Sequence, residues 1–78
     1  MSNYIMNVKK ELTKDEYGNI HDYLGVIDVN DNFTMNIENK NLINLEMINQ
    51  IFEENNFVKI KEQINENGSC IIEANKVY

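Results

Sequence analysis

YLGVIDVNDNFTMNI, Tyr23 to Ile37, is the stretch on which the fold turns. Two apolar runs flank Asn30-Asp31-Asn32. Read as a β-hairpin, those three residues form the loop, and Asn32 takes the left-handed conformation that asparagine tolerates. Val29 then pairs with Phe33, Ile27 with Met35, Gly25 with Ile37 and Tyr23 with Asn39. One face collects Tyr23, Ile27, Val29, Phe33, Met35 and Ile37, the alternation of a half-buried strand. The same residues carry a trace of a calcium loop, with Asp28, Asn30 and Asn32 at its first, third and fifth positions. Such a loop needs Gly at its sixth position and a bidentate Glu at its twelfth. Phe33 and Asn39 stand there instead, so a plain turn is expected and no metal site is assigned.

Working outward, the C-terminal segment VKIKEQINENGSCIIEANKVY reads as a second hairpin. A loop of Glu66-Asn67-Gly68 puts glycine where a type I turn plus bulge needs a left-handed residue. Ile64 then pairs with Cys70, Glu62 with Ile72, Ile60 with Ala74 and Val58 with Lys76, while Lys61 meets Glu73 on the other face. A two-residue Asn-Gly loop would instead oppose Glu62 and Glu73, and like charges there are unfavourable. Upstream, Tyr4, Met6 and Val8 alternate, Leu12 continues their face, and TKDEYGN reads as a turn with its tip at Gly18-Asn19.

Between the hairpins, NLINLEMINQIFEENN spaces Leu45, Ile48 and Phe52 as on one helical face, flanked by Leu42 and Ile51. An amphipathic helix from about Asn41 to Asn55 is expected, with Asn41 as N-cap and Asn56 as the left-handed residue after its end. Glu53 and Glu54 in the last turn oppose the helix dipole, so a lysine or a partner is expected near them. The expected fold is one α+β domain over residues 1–78. Its order is β-β-β-α-β-β, an antiparallel β-sheet with one amphipathic helix packed on one face.

Thirteen acidic residues stand against seven lysines, arginine is absent, and the net charge is −6. That balance argues against direct contact with nucleic acid or an anionic membrane, both of which are held by cationic side chains. A single cysteine, no signal-peptide pattern at the N-terminus and no long apolar run point to a soluble cytoplasmic protein. Fifteen asparagines and abundant isoleucine fit an AT-rich genome, of a bacterium or its phage.

Catalytic chemistry has little material. His21 and Cys70 are the sole residues of their kinds, and a Cys–His dyad needs both in one cleft. Zinc needs three or four N/S ligands. The adjacent acids Asp15-Glu16 and Glu53-Glu54 point in different directions on any regular element. No enzyme and no cofactor is expected.

Two surfaces remain. Asp28, Glu38, Glu46, Glu53 and Glu54 point outward and form a candidate acidic face for a basic protein partner. Ile43 and Met47, opposite the helix's core stripe, form a candidate apolar interface. In size, acidity and lack of catalytic groups the chain resembles, in type alone, small phage-encoded inhibitors, anti-CRISPR proteins among them. That resemblance covers no aligned residues and implies no site. The expectation is a non-enzymatic acidic protein that inhibits or sequesters a basic, nucleic-acid-handling partner. The alternative is a homo-oligomeric structural or adaptor subunit, here a homodimer. Third comes a nucleotide sponge with aromatic stacking and phosphate held by Lys59 and Lys61.

Overall fold

A computed structural model describes residues 2–78. It is a two-layer α+β domain with four strands and two helices. In chain order these are β1 (Asn3–Val8), α1 (Lys14–Gly25), β2 (Asn32–Ile37), α2 (Leu45–Glu54), β3 (Phe57–Ile64) and β4 (Cys70–Lys76), with one 3-10 turn at Lys40–Leu42. The sheet order is β1-β2-β4-β3. β1 runs parallel to β2, while β4 is antiparallel to both β2 and β3. The sheet is therefore mixed rather than antiparallel, and the order along the chain is β-α-β-α-β-β.

The correction comes from one segment. Residues read as a turn and a strand form α1. Thr13 is its N-cap and builds a full capping box: the Thr13 hydroxyl accepts from the Glu16 N–H at 3.3 Å, and the Thr13 N–H donates to Oε1 of Glu16 at 3.0 Å. Tyr17, Ile20 and Leu24 lie at i, i+3 and i+7 and are all buried. Tyr23, expected in the core, is 37% exposed on α1, and Val29 is 47% exposed in the following loop. Ile27 is buried as expected, although it sits in that loop. The left-handed residue is Asn30, with φ 73°, and Asn32 opens β2. Asp31 becomes a tie: its Oδ1 accepts from the Ser2 N–H at 2.8 Å, and its carbonyl accepts from the Lys76 N–H at 3.2 Å. No calcium-type loop forms there, because Phe33 is wholly buried and continues the chain as a strand.

A parallel β1–β2 pair needs a crossover, and α1 supplies it. Its C-terminal end is completed from far along the chain. α1 has no basic residue in its last turn, but Nζ of Lys76 donates to the carbonyls of Leu24 and Gly25 at 3.3 Å each. A cation there neutralises the negative end of the helix dipole.

The second helix appears where expected but starts later. Asn44 is its N-cap, its side chain accepting from the Met47 N–H at 3.2 Å, while Asn41 lies in the 3-10 turn. Asn56 is left-handed after its end, with φ 64°. The C-terminal hairpin turns as expected, with Gly68 at φ 93° and its N–H donating to the Asn65 carbonyl at 2.9 Å. Ile64 pairs with Cys70, Glu62 with Ile72 and Lys61 with Glu73. Beyond Lys61 a bulge shifts the register, so Lys59 rather than Ile60 faces Ala74, and Phe57 rather than Val58 faces Lys76. The bulge turns Phe57 inward to 6% exposure and leaves Val58 and Ile60 at 50% and 54%. The larger aromatic side chain releases more apolar area from water than valine would, which favours this arrangement.

Both helices cover the same face of the sheet. Tyr17, Ile20 and Leu24 from α1 and Ile48, Ile51 and Phe52 from α2 close over Val8, Phe33, Met35, Ile37, Cys70, Ile72 and Ala74. Edge-to-face rings run from Tyr4 through Tyr23 to Phe33, which then meets Phe52 and Phe57. Among the described residues no helix covers the opposite face of the sheet. That face carries Asn3, Ile5 and Asn7, then Asn32, Thr34 and Asn36, then Ile71, Glu73 and Asn75, in the alternate positions of each strand.

Candidate functional site

The two helices follow parallel strands, β1 and β2, and so run in the same direction across the sheet. Their solvent-facing positions are set by the buried ones. On α1, Asp15 and Asp22 lie opposite Tyr17, Ile20 and Leu24. On α2, Glu46 and Glu53 lie opposite Ile48, Ile51 and Phe52. Each pair is seven residues apart, which on a helix means the same face and a rise of about 10.5 Å. Two helices side by side thus carry two similar rows of carboxylates.

The charge is strongly partitioned. The helices hold six carboxylates (Asp15, Glu16, Asp22, Glu46, Glu53 and Glu54) against Lys14 alone, and so carry −5 of the chain's −6. β1 and β2 carry no charged residue, and on the uncovered face Glu73 lies opposite Lys61. That face is instead lined with amides. Asn36 donates to Asn7 at 3.2 Å, and the amide oxygens of Asn32 and Asn75, neighbours in the register, are buried without a hydrogen-bond partner among the described residues.

Of the five expected acids, α2 brings Glu46, Glu53 and Glu54 onto one element. Asp28 and Glu38 are exposed but precede and follow β2, six residues of strand apart, so about 20 Å of strand separates them. The five do not form one surface. Asp15, Glu16 and Asp22 stand outside the acidic face expected from the sequence, because TKDEYGN reads there as a turn rather than as the start of a helix. The Thr13-x-x-Glu16 capping signature and the Tyr17–Ile20–Leu24 spacing were the signals that mark it as a helix.

Between the helices lies a groove of about 300 Å³, bordered by Lys14, Gly18 and His21 on one side and Met47, Gln50 and Glu54 on the other. Nε2 of His21 and Oε1 of Glu54 are 3.4 Å apart and close one end. This histidine takes the place of the lysine or partner expected beside the acidic end of α2. Met47 is 38% exposed in the groove, whereas Ile43 lies before the helix, partly buried against the core. The expected apolar pair on one helix face does not exist.

Cys70 and His21 are not brought together. Cys70 is buried and lies beside Ile37, where β2 ends, while His21 pairs with Glu54 at the end of α2. Burial raises the Cys70 thiol above its ordinary value, Glu62 adds to that, and Lys59 opposes it. The thiol stays protonated at neutral pH, the wrong state for a nucleophile. No cluster of three metal-ligating side chains occurs among the described residues. Phe33, Phe52, Phe57 and Tyr17 are core residues, and the Tyr17 hydroxyl accepts from the Asn44 N–H at 2.7 Å. Lys59 is engaged by Glu62 and by Asn49. No helix among the described residues is long and apolar enough to cross a membrane. No protein-family model, curated protein or solved structure matches the chain.

Proposed function

We propose that this chain is a non-enzymatic binding protein whose helical layer engages a basic protein surface, of the kind that otherwise holds nucleic acid, and so sequesters or inhibits it. One observation carries the reading: the two adjacent parallel helices hold a net −5 of the chain's −6, with four of their six carboxylates in two regular rows. A surface of one sign speeds encounter with a surface of the other and selects against acidic competitors. The groove between the rows, with Met47 in it, offers an apolar anchor beside the carboxylates. A small phage- or bacterium-encoded inhibitor of a nucleic-acid-handling defence enzyme is the type of protein this describes.

The test neutralises the rows together, as Asp15→Asn, Asp22→Asn, Glu46→Gln and Glu53→Gln. Two of these sit in first turns and two in last turns, so their effects on the helix dipoles oppose one another and the fold is retained. The wild-type chain, immobilised, should retain a basic nucleic-acid-binding protein from a bacterial lysate at low salt and release it to added duplex DNA. The fourfold variant should not retain it. Retention that ignores salt, or that survives in the variant, would refute the reading.

A further inference from the structure

We propose that the chain forms a twofold dimer by antiparallel pairing of β1 with β1 of a second copy, joining the two sheets into one of eight strands. β1 is an outer strand of the sheet. The Ser2 carbonyl accepts from Asn32 and the Val8 carbonyl from Glu38, both at 2.9 Å. In a parallel ladder the residues that bond the neighbouring strand alternate. Ser2, Tyr4, Met6 and Val8 therefore direct their backbone groups to β2, and Asn3, Ile5 and Asn7 direct theirs to the open edge. Edge strands are normally guarded by charge, proline or a bulge. The opposite edge follows that rule, since β3 carries Lys59, Lys61, Glu62 and a bulge between the two lysines. β1 has none of these, and its central Ile5 is 63% exposed.

A twofold axis at Ile5 matches every requirement of the edge. Ile5 then pairs with Ile5 of the other copy, and Asn3 with Asn7, which aligns all the outward-directed amides and carbonyls in hydrogen-bonded pairs. On the helix side Tyr4 of each copy lies beside Met6 of the other. Those side chains have a place to go. A groove of about 440 Å³ runs beside β1 under α1, lined by Met6, Val8, Leu12, Ile20 and Tyr23 among others. Strand addition draws affinity from the backbone and specificity from such side-chain pockets. α1 reaches over both β1 and β2, since its Tyr23 ring meets Tyr4 and Phe33. Pairing at the ordinary strand spacing thus sets the two α1 helices about 10 Å apart, a normal packing distance.

Charge selects a second copy over a foreign strand. Lys9 and Lys10 follow β1, are exposed, and form no ion pair among the described residues. Antiparallel pairing carries them to the other copy's β1 start, where α1 ends with Asp22 in its last turn. The match is reciprocal: each pair of lysines lies at the end of the seam that also holds Glu16 of its own α1 and Asp22 of the other copy's, and balances both.

Ile5→Pro is the discriminating variant. Its N–H points to the open edge, so proline there leaves the bonds to β2 intact while removing an intermolecular donor. Ile5→Lys serves as a second variant that keeps the N–H and places charge on the edge. Sedimentation from micromolar to millimolar protein should show a concentration-dependent dimer. Either variant should raise its dissociation constant at least about 100-fold, with the far-UV spectrum unchanged. Lys9→Glu with Lys10→Glu should weaken it, and adding Asp22→Lys should restore it. Amide exchange at Asn3, Ile5 and Asn7 should slow as concentration rises. A monomer at every concentration overturns the proposal. So does a dimer indifferent to both Ile5 variants, or one abolished by Ile60→Lys on the other edge. Protection of these amides only by an added peptide of another protein would assign β1 to a foreign strand and overturn it equally.

Discussion

Gly18→Ala distinguishes a helix over Lys14–Gly25 from a turn by the sign of its effect. Gly18 lies in the interior of α1, and a Cβ built there meets no atom within 4 Å. Nothing is displaced by the added methyl, and nothing is lost. Alanine in a helix interior is favoured over glycine by about 0.8–1.0 kcal/mol, chiefly because the unfolded chain has less freedom to lose. In a chain of this length total stability is on the order of 4–12 kcal/mol, so the gain is a sizeable fraction. It corresponds to a rise in Tm of roughly 4–8 °C. Urea unfolding followed by far-UV circular dichroism measures it directly as a higher midpoint with an unchanged slope. Were Gly18-Asn19 the tip of a tight turn, with glycine left-handed, the same change would cost about 1–2 kcal/mol. A lowered midpoint would therefore refute α1 itself, and with it the parallel β1–β2 pair and the rows of carboxylates.

Lys76→Met should lower stability by about 1 kcal/mol in the same urea assay, because it removes the two bonds to the Leu24 and Gly25 carbonyls and the charge over the Phe57 ring, 5.9 Å from its centroid. An unchanged midpoint would show that α1 does not depend on this cap. Cys70 predicts a pH effect: its folded thiol titrates above the ordinary value near 9, so above about pH 9 the unfolded chain releases this proton first. Stability is then independent of this group below that pH and falls as pH rises past it. Unfolding curves between pH 8 and pH 10 should show a shallower decline for Cys70→Ala than for the wild type. Parallel slopes, or rapid labelling of the native thiol at neutral pH, would contradict its burial.

How much of this was legible in the sequence depended on how local the deciding contacts were. Gly68, Asn56 and the Phe33–Met35–Ile37 alternation were readable because backbone conformation and strand period are properties of a few neighbouring residues. The Lys61–Glu73 register followed from the turn. α1 was misread because its apolar stripe is thin, Gly18 interrupts it, and Gly25-Val26-Ile27 imitates the start of a strand. The parallel neighbour of β1 then disappeared too, since a parallel pair exists only through its crossover. The bulge at Ile60 was hidden for a different reason: Val58, Ile60 and Ile64 alternate regularly, and only competition with Phe57 for the core overrides that pattern. On the acidic surface, the α2 carboxylates were found and the α1 carboxylates were lost with their helix. Asp28 and Glu38 were exposed as expected, but nothing in their spacing revealed that β2 holds them apart.

The position of β4 between β2 and β3 has a consequence for how the chain assembles. The last strand in the chain is an interior strand of the sheet. The β3–β4 hairpin, closed by a three-residue turn, is a local unit that can form within microseconds. β2 waits for β4, which begins more than thirty residues after β2 ends. Until the hairpin docks, β2 has one unpaired edge, and Phe33, Met35 and Ile37 lack Ala74, Ile72 and Cys70 beside them. A nascent chain that has emerged only as far as α2 therefore presents a bare strand edge next to apolar side chains, the kind of surface that misassociates. The sheet is completed from its middle, and the interval before hairpin docking is its most vulnerable period.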